Sequence, residues 1–137
     1  MEYGQVDVIQ PCYSLLWRYD EELLKFSLEN DIAVIPYSTL AQGLLTGKYQ
    51  KGATFTDGRS RAALFQPENY DRALEVTQVL KEISAKYGKT PAQGAIAWLL
   101  QTPGVTAPIV GAKKREAGGG EYPGLWVAVL PGGLRGH

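Results

Sequence analysis

The 137-residue chain sets 14 basic residues against 14 acidic ones and is 45% hydrophobic, an ordinary composition for one globular domain, with no net field to draw nucleic acid or an anionic membrane. Its lone cysteine, Cys12, cannot form an internal disulfide, which points to a reducing, cytoplasmic setting. The first residues show no basic segment followed by an apolar one, and no apolar run is long enough to span a bilayer, so neither secretion nor membrane insertion is expected.

Residues 6–13 carry Val6, Val8 and Ile9 ahead of Pro11 and read as a buried strand that ends at a turn. Asp20 can cap the next helix, whose first turn holds Glu21 and Glu22 and whose apolar positions are Leu23, Leu24, Phe26, Leu28 and Ile32. A second short strand at 33–37 follows at once. Strand, helix and strand with tight connections make a βαβ unit, the building block of parallel sheets with right-handed crossovers.

Residues 50–69 turn to Gly, Thr, Asp, Arg, Ser and Pro without periodicity, and read as a lid-like surface loop. A long helix is expected over 68–87, with Val76, Val79, Leu80, Ile83 and Tyr87 on one face and Gly88 as its stop. Thr90 and Pro91 supply the cap and first position of another helix, with Ala92, Ala95, Ile96 and Leu99 facing inward. Gly94 within it costs about 1 kcal/mol relative to alanine, which predicts close packing against a neighbour. Residues 105–112 form a third short strand, leading into Lys113, Lys114 and Arg115.

The stretch "IPYSTLAQGLLTGKY", residues 35–49, sets a strand end against a turn with a hydroxyl, glycines and an ammonium group, suited to something anionic. Ligands of parallel α/β proteins sit at the carboxyl ends of the strands, which puts this loop and the one after residue 110 on the same face. Taken singly, Gln10 reads as a hydrogen-bonded polar residue, Tyr37 as core filling, and the 113–115 cluster as solvated charge. Cys12 reads as a packing residue, since nothing adjacent would lower its pKa.

Four stretches taken together are more specific. "VDVIQPCYSLLWR", "IPYSTLAQGLLTGKY", "KYGKTPAQGAIAWLL" and "PGVTAPIVGAK" resemble, in order, consecutive blocks of the aldo-keto reductase family, over residues 5–113. The resemblance implies an α/β fold: the C-terminal portion of a (β/α)8 TIM barrel, with about three parallel strands, the sixth to eighth, within residues 1–114. It implies an oxidoreductase that uses NADPH to reduce aldehydes and ketones to alcohols, with a small carbonyl compound as partner and no nucleic acid or membrane. By the same resemblance Gln10 holds the nicotinamide carboxamide, Tyr37 stacks on the nicotinamide ring, and Ser38, Leu40, Gly43 and Lys48 lie in the loop around the pyrophosphate. Gly111 and Lys113 begin the segment that meets the adenosine 2′-phosphate. A flat ring needs a flat apolar face, and the last loops of such barrels recurrently hold phosphate.

The family's tyrosine, lysine, aspartate and histidine belong to the half of the barrel outside these blocks, so no residue is nominated as catalytic and none as a metal ligand; His137 matches nothing. The chain is therefore expected to be a fragment, inactive and poorly stable alone, with exposed strand edges. From about residue 115 the pattern departs from the family. "EAGGGEYPGLWVAVLPGG" cannot make the helix that resembles Glu-Gln-Val-Glu-Glu-Asn in relatives, and a frameshift near Glu116 or Ala117 would account for it. Two other readings stay open: a non-catalytic nucleotide-binding or regulatory protein on the same fold, and a gene remnant without function.

Overall fold

The structure is a computed structural model, and it describes residues 4–111. Strand β1, Val8–Ile9, pairs in parallel with β2, Ala33–Val34, placing Val8 opposite Ala33 and Ile9 opposite Val34. The pairing outruns this regular core. Ala33 N–H donates to Asp7 O (2.9 Å), Ile35 N–H to Ile9 O (3.0 Å), Tyr37 N–H to Pro11 O (2.9 Å) and Tyr13 N–H to Tyr37 O (3.2 Å). Pro11 has no N–H to offer Ile35 O, so the ladder loses a rung and resumes as a single bridge between Cys12 and Tyr37.

The expected third strand lies where the sequence places it but is not a regular strand. Thr106 N–H donates to Val34 O (2.8 Å) and Ile109 N–H to Pro36 O (2.9 Å), so residues 106–109 run alongside β2 in the same direction. Val34 N–H is taken by the Thr106 hydroxyl (2.9 Å) and Pro36 has no N–H, which leaves β2 with no donors for a backbone ladder on that side. The step from Thr106 to Ile109 is three residues against two from Val34 to Pro36, and the extra one breaks the register.

Val6 and Val8, expected inside, are 42% and 51% exposed, because β1 is the outer strand of the pair. Helix α1, Glu21–Glu29, follows Asp20 at the cap position; the Asp20 side chain makes no capping bond, while Glu21 and Glu22 sit in the first turn as expected. Only Leu24 and Ser27 are buried on it, with Ile32 beyond its end, whereas Leu23, Phe26 and Leu28 are exposed. At 100° per residue these three fall off the stripe centred between positions 24 and 27.

Helix α2, Pro67–Ala85, buries Tyr70, Ala73, Thr77, Leu80 and Ser84, an alternation of three and four residues. Of the expected face, Leu80 is buried and Ile83 packs at the edge of the core, but Val76, Val79 and Tyr87 are exposed. The true stripe is hard to see because two of its members, Thr77 and Ser84, are small polar residues. The Thr77 hydroxyl donates to Leu44 O and Ala73 O, both at 3.0 Å, so this polar residue is satisfied inside the core. Helix α3, Pro91–Gln101, starts at Thr90, whose hydroxyl accepts from Gln93 N–H while the Gln93 side chain accepts from Thr90 N–H. Ala92, Ala95, Ile96 and Leu99 are buried as expected. Gly94 faces α2: a Cβ there would lie 2.1 Å from Ser84 Oγ and 3.1 Å from Leu80 Cδ1.

The stretch expected as a lid-like surface loop over 50–69 is mostly exposed, and it is strapped to the core by a few aromatic contacts. Phe55 and Phe65 meet edge to face at 4.7 Å, Tyr49 stands 5.1 Å from Phe55, and Tyr70 Oη donates to Gln50 O (2.7 Å). Two short 3-10 turns, Gly58–Arg61 and Ala63–Phe65, complete it, and Phe65 joins the core with Leu15, Leu44, Leu45 and Leu80. The polar composition conceals two aromatic anchors. Among the described residues no helix is long and apolar enough to cross a membrane.

Buried Tyr13 stacks on Trp98 (5.9 Å) and donates to Glu21 Oε1 (3.2 Å). Burial, followed by the Glu21 carboxylate, pushes its phenol up to about 12. The unfolded chain releases this proton nearer pH ~10, so the stabilisation is present below pH ~10 and is lost as pH rises through about 12. Tyr13→Phe is expected to flatten the alkaline fall of the melting temperature in that window; an unchanged slope would remove Tyr13 as its source.

Candidate functional site

The site is built from the loops that leave β1 and β2. Gln10 is exposed, next to Pro11, whose carbonyl accepts from Tyr37 N–H; the two expected nicotinamide contacts therefore sit at the adjoining ends of β1 and β2. The Tyr37 ring is 46% exposed, unlike the core filling that a lone tyrosine suggests. Ser38 follows at φ +52, half-buried, and its hydroxyl bonds the Cys12 side chain. Burial pushes the Cys12 thiol up, Ser38 pulls it back in part, and Asp20 pushes it up again, so the thiol stays protonated, as expected for a packing residue.

Thr39, not singled out in the sequence, fixes the loop. It is 2% exposed, and its hydroxyl donates to Ile109 O (2.6 Å), tying the turn after β2 to the segment that leads to Gly111. Its place between two nominated residues was the only signal for it in the sequence. Leu40 packs its side chain against the core, and its carbonyl accepts from Gly43 and Leu45 N–H, both at 3.1 Å. The turn Ala41–Thr46 is kinked at Gln42 (φ +57) and Gly43 (φ +98). Exposed Lys48 leans over Tyr49, its Nζ 5.1 Å from the ring centroid. Gly111 is exposed at the end of the described residues; Lys113, with Lys114 and Arg115, lies outside them.

A cavity of about 160 Å³ opens beside this loop, lined by Cys12, Ser14, Trp17, Ser38, Gln42 and the 62–64 turn, among others; of the nominated residues, Ser38 alone is among the described residues that line it. None of the described residues lining it is acidic. Its hydroxyl and amide donors suit a polar or anionic ligand, while the exposed Tyr37 ring and the Lys48 ammonium lie outside its lining. Among the described residues no group of three His, Cys, Asp or Glu could hold a metal ion.

Parallel strands joined through helices, with loops and a donor-lined cavity at their carboxyl ends, define a segment of an α/β barrel with its ligand-side loops. The chain belongs to the Aldo/keto reductase family, whose model matches residues 1–117. It is 33% identical over 117 residues to the NADH-specific methylglyoxal reductase of Escherichia coli, covering 85% of this chain and 36% of that protein. It is 37% identical over 120 residues to a probable voltage-gated potassium channel subunit beta of Arabidopsis thaliana, covering 80% of this chain and 35% of the relative. The solved glycerol dehydrogenase of Gluconobacter oxydans superposes with a TM-score of 0.79 at 29% identity, over 93% of this chain and 38% of that one. The chain thus spans about a third of the length of the proteins it matches.

Proposed function

We propose that residues 1–114 form the cofactor-holding part, strands six to eight, of an NADPH-dependent aldo-keto reductase that converts aldehydes or ketones to alcohols. The observation that carries this reading is the exposed Tyr37 ring at the end of β2, with Gln10 beside it and the Ser38–Lys48 loop directly behind. Gln10 would hold the carboxamide and Tyr37 one face of the nicotinamide. Ser38, the Leu40–Gly43 turn and Lys48 would hold the pyrophosphate, and Gly111 and Lys113 the 2′-phosphate. The bound nicotinamide supplies the hydride, while these residues orient its ring and neutralise its phosphates. The proton donor belongs to the part of the barrel these residues do not include. The family match ends at residue 117, beside Glu116 and Ala117, where the frameshift is proposed to begin.

The test is a fluorescence titration of NADPH, and in parallel NADH, into the full chain and its Tyr37→Ala variant. Loss of a stacking face worth about 1 kcal/mol should weaken NADPH about fivefold. Equal affinities for the two chains would remove Tyr37 from the site, and tighter binding of NADH would overturn the 2′-phosphate assignment. A second reading, a nucleotide-binding regulatory subunit, is favoured by the likeness to the plant relative named a channel subunit beta. It predicts cofactor binding without turnover once a complete barrel is supplied.

A further inference from the structure

The strap and the proposed phosphate loop meet at Tyr49. Its hydroxyl donates to Gln42 O (3.4 Å) and accepts from the Arg59 guanidinium. A Cβ placed on Gly43 would stand 3.0 Å from both Tyr49 Oη and Lys48 Cε, so the tyrosine and the lysine stem lie directly against the backbone of the turn. That turn needs outside support: Ala41, Gln42 and Gly43 are left-handed in succession, at φ +52, +57 and +98. Residues other than glycine hold this conformation only where their surroundings impose it.

Arg59 supplies the other half of the contact. Its Nε donates to Asp57 Oδ1 (2.9 Å) and one terminal nitrogen to Asp57 Oδ2 (2.6 Å), a two-point grip that sets the plane of the guanidinium. The same guanidinium lies 5.4 Å from the Tyr49 ring and 5.1 Å from Phe55. Lys48 Nζ also sits over Tyr49, so one ring carries the strap's arginine, the loop's lysine and the carbonyl of the kink.

We infer that Tyr49 and Arg59 are positioning residues: together they latch the 50–66 strap onto the 40–43 turn and hold that turn and Lys48 in the shape that receives the cofactor phosphates. Neither needs to touch the ligand. The ligand's identity rests on the function proposed above, whereas the latch itself does not.

The experiment compares the full chain with Arg59→Ala, Tyr49→Phe and the double variant. Amide hydrogen exchange at residues 41–45, NADPH affinity and melting temperature are read on each. Tyr49→Phe keeps the ring and its packing, so it tests the hydroxyl without threatening the fold. Each single variant should speed exchange at 41–45 and weaken NADPH by about fivefold, the worth of one hydrogen bond, while moving the melting temperature little. The double variant should be no worse than the singles, because both remove the same latch. Unchanged exchange at 41–45 in the singles, or fully additive losses in the double, would overturn the inference. A wild-type chain that binds no NADPH would instead remove the functional reading, and the exchange data would decide the latch alone.

Discussion

Replacing Gly104 by alanine is expected to destabilise the fold by about 3 kcal/mol, the sum of left-handed backbone strain and a clash with unyielding neighbours. Gly104 sits at φ +96, in the turn that brings the chain from α3 to the segment beside β2. A Cβ there would lie 2.7 Å from Leu24 O and 3.0 Å from Leu24 Cβ. The carbonyl belongs to α1 and cannot swing aside as a flexible side chain could. Relief by moving the turn would pull Thr106 away from Val34, which it bonds twice, through its N–H and its hydroxyl. The midpoint of urea unfolding checks this, and a variant that unfolds with the wild type would show that α1 and the 105–109 segment are not docked as described.

The second large effect lies between α2 and α3. Gly94→Ala gains about 1 kcal/mol of helix propensity but must displace Ser84 Oγ, 2.1 Å from the new Cβ, with overpacking of about 1–3 kcal/mol against it. A net loss of about 1–2 kcal/mol is expected. Ser84 Oγ is buried without a hydrogen-bond partner among the described residues, so Ser84→Ala alone should be neutral or stabilising. With the hydroxyl gone, the nearest remaining atom of residue 84 would be Cβ at 3.4 Å, an ordinary contact, and the double variant should recover most of the loss. A double-mutant cycle measured by thermal unfolding reads this coupling directly. Strictly additive changes would mean that the helices sit further apart.

Much of the fold was legible because local chemistry and tertiary packing agree there. Thr90 and Pro91 mark the start of α3 by themselves, and Gly94 announced a close approach before any neighbour was known. The βαβ order was legible in the same way, whereas Gln10 and Tyr37, at the adjoining ends of β1 and β2, were picked out only by the family resemblance.

Misreadings arose where a side chain's role depends on a distant partner. Thr77 and Ser84 belong to the inner stripe of α2 although hydropathy places them outside, and that shifted the expected face onto Val76 and Val79. In the 50–69 stretch the charged residues and glycines concealed Phe55 and Phe65, whose ring contacts were not foreseen. Pro11 and Pro36 shortened the regular strands by withholding N–H groups. Within the site, the nominated residues fall on adjoining backbone, apart from Lys113, which lies outside the described residues. Thr39 was missed because its partner, Ile109 O, is 70 residues away.

The most direct test is amide-resolved NMR of the labelled full chain during titration with NADP⁺. Shifts are expected to concentrate at residues 10–12, 37–48 and 109–111, the ends of β1, β2 and the segment beside them. No shifts, or shifts confined to the outer faces of α1 and α2, would contradict a dinucleotide site at these strand ends.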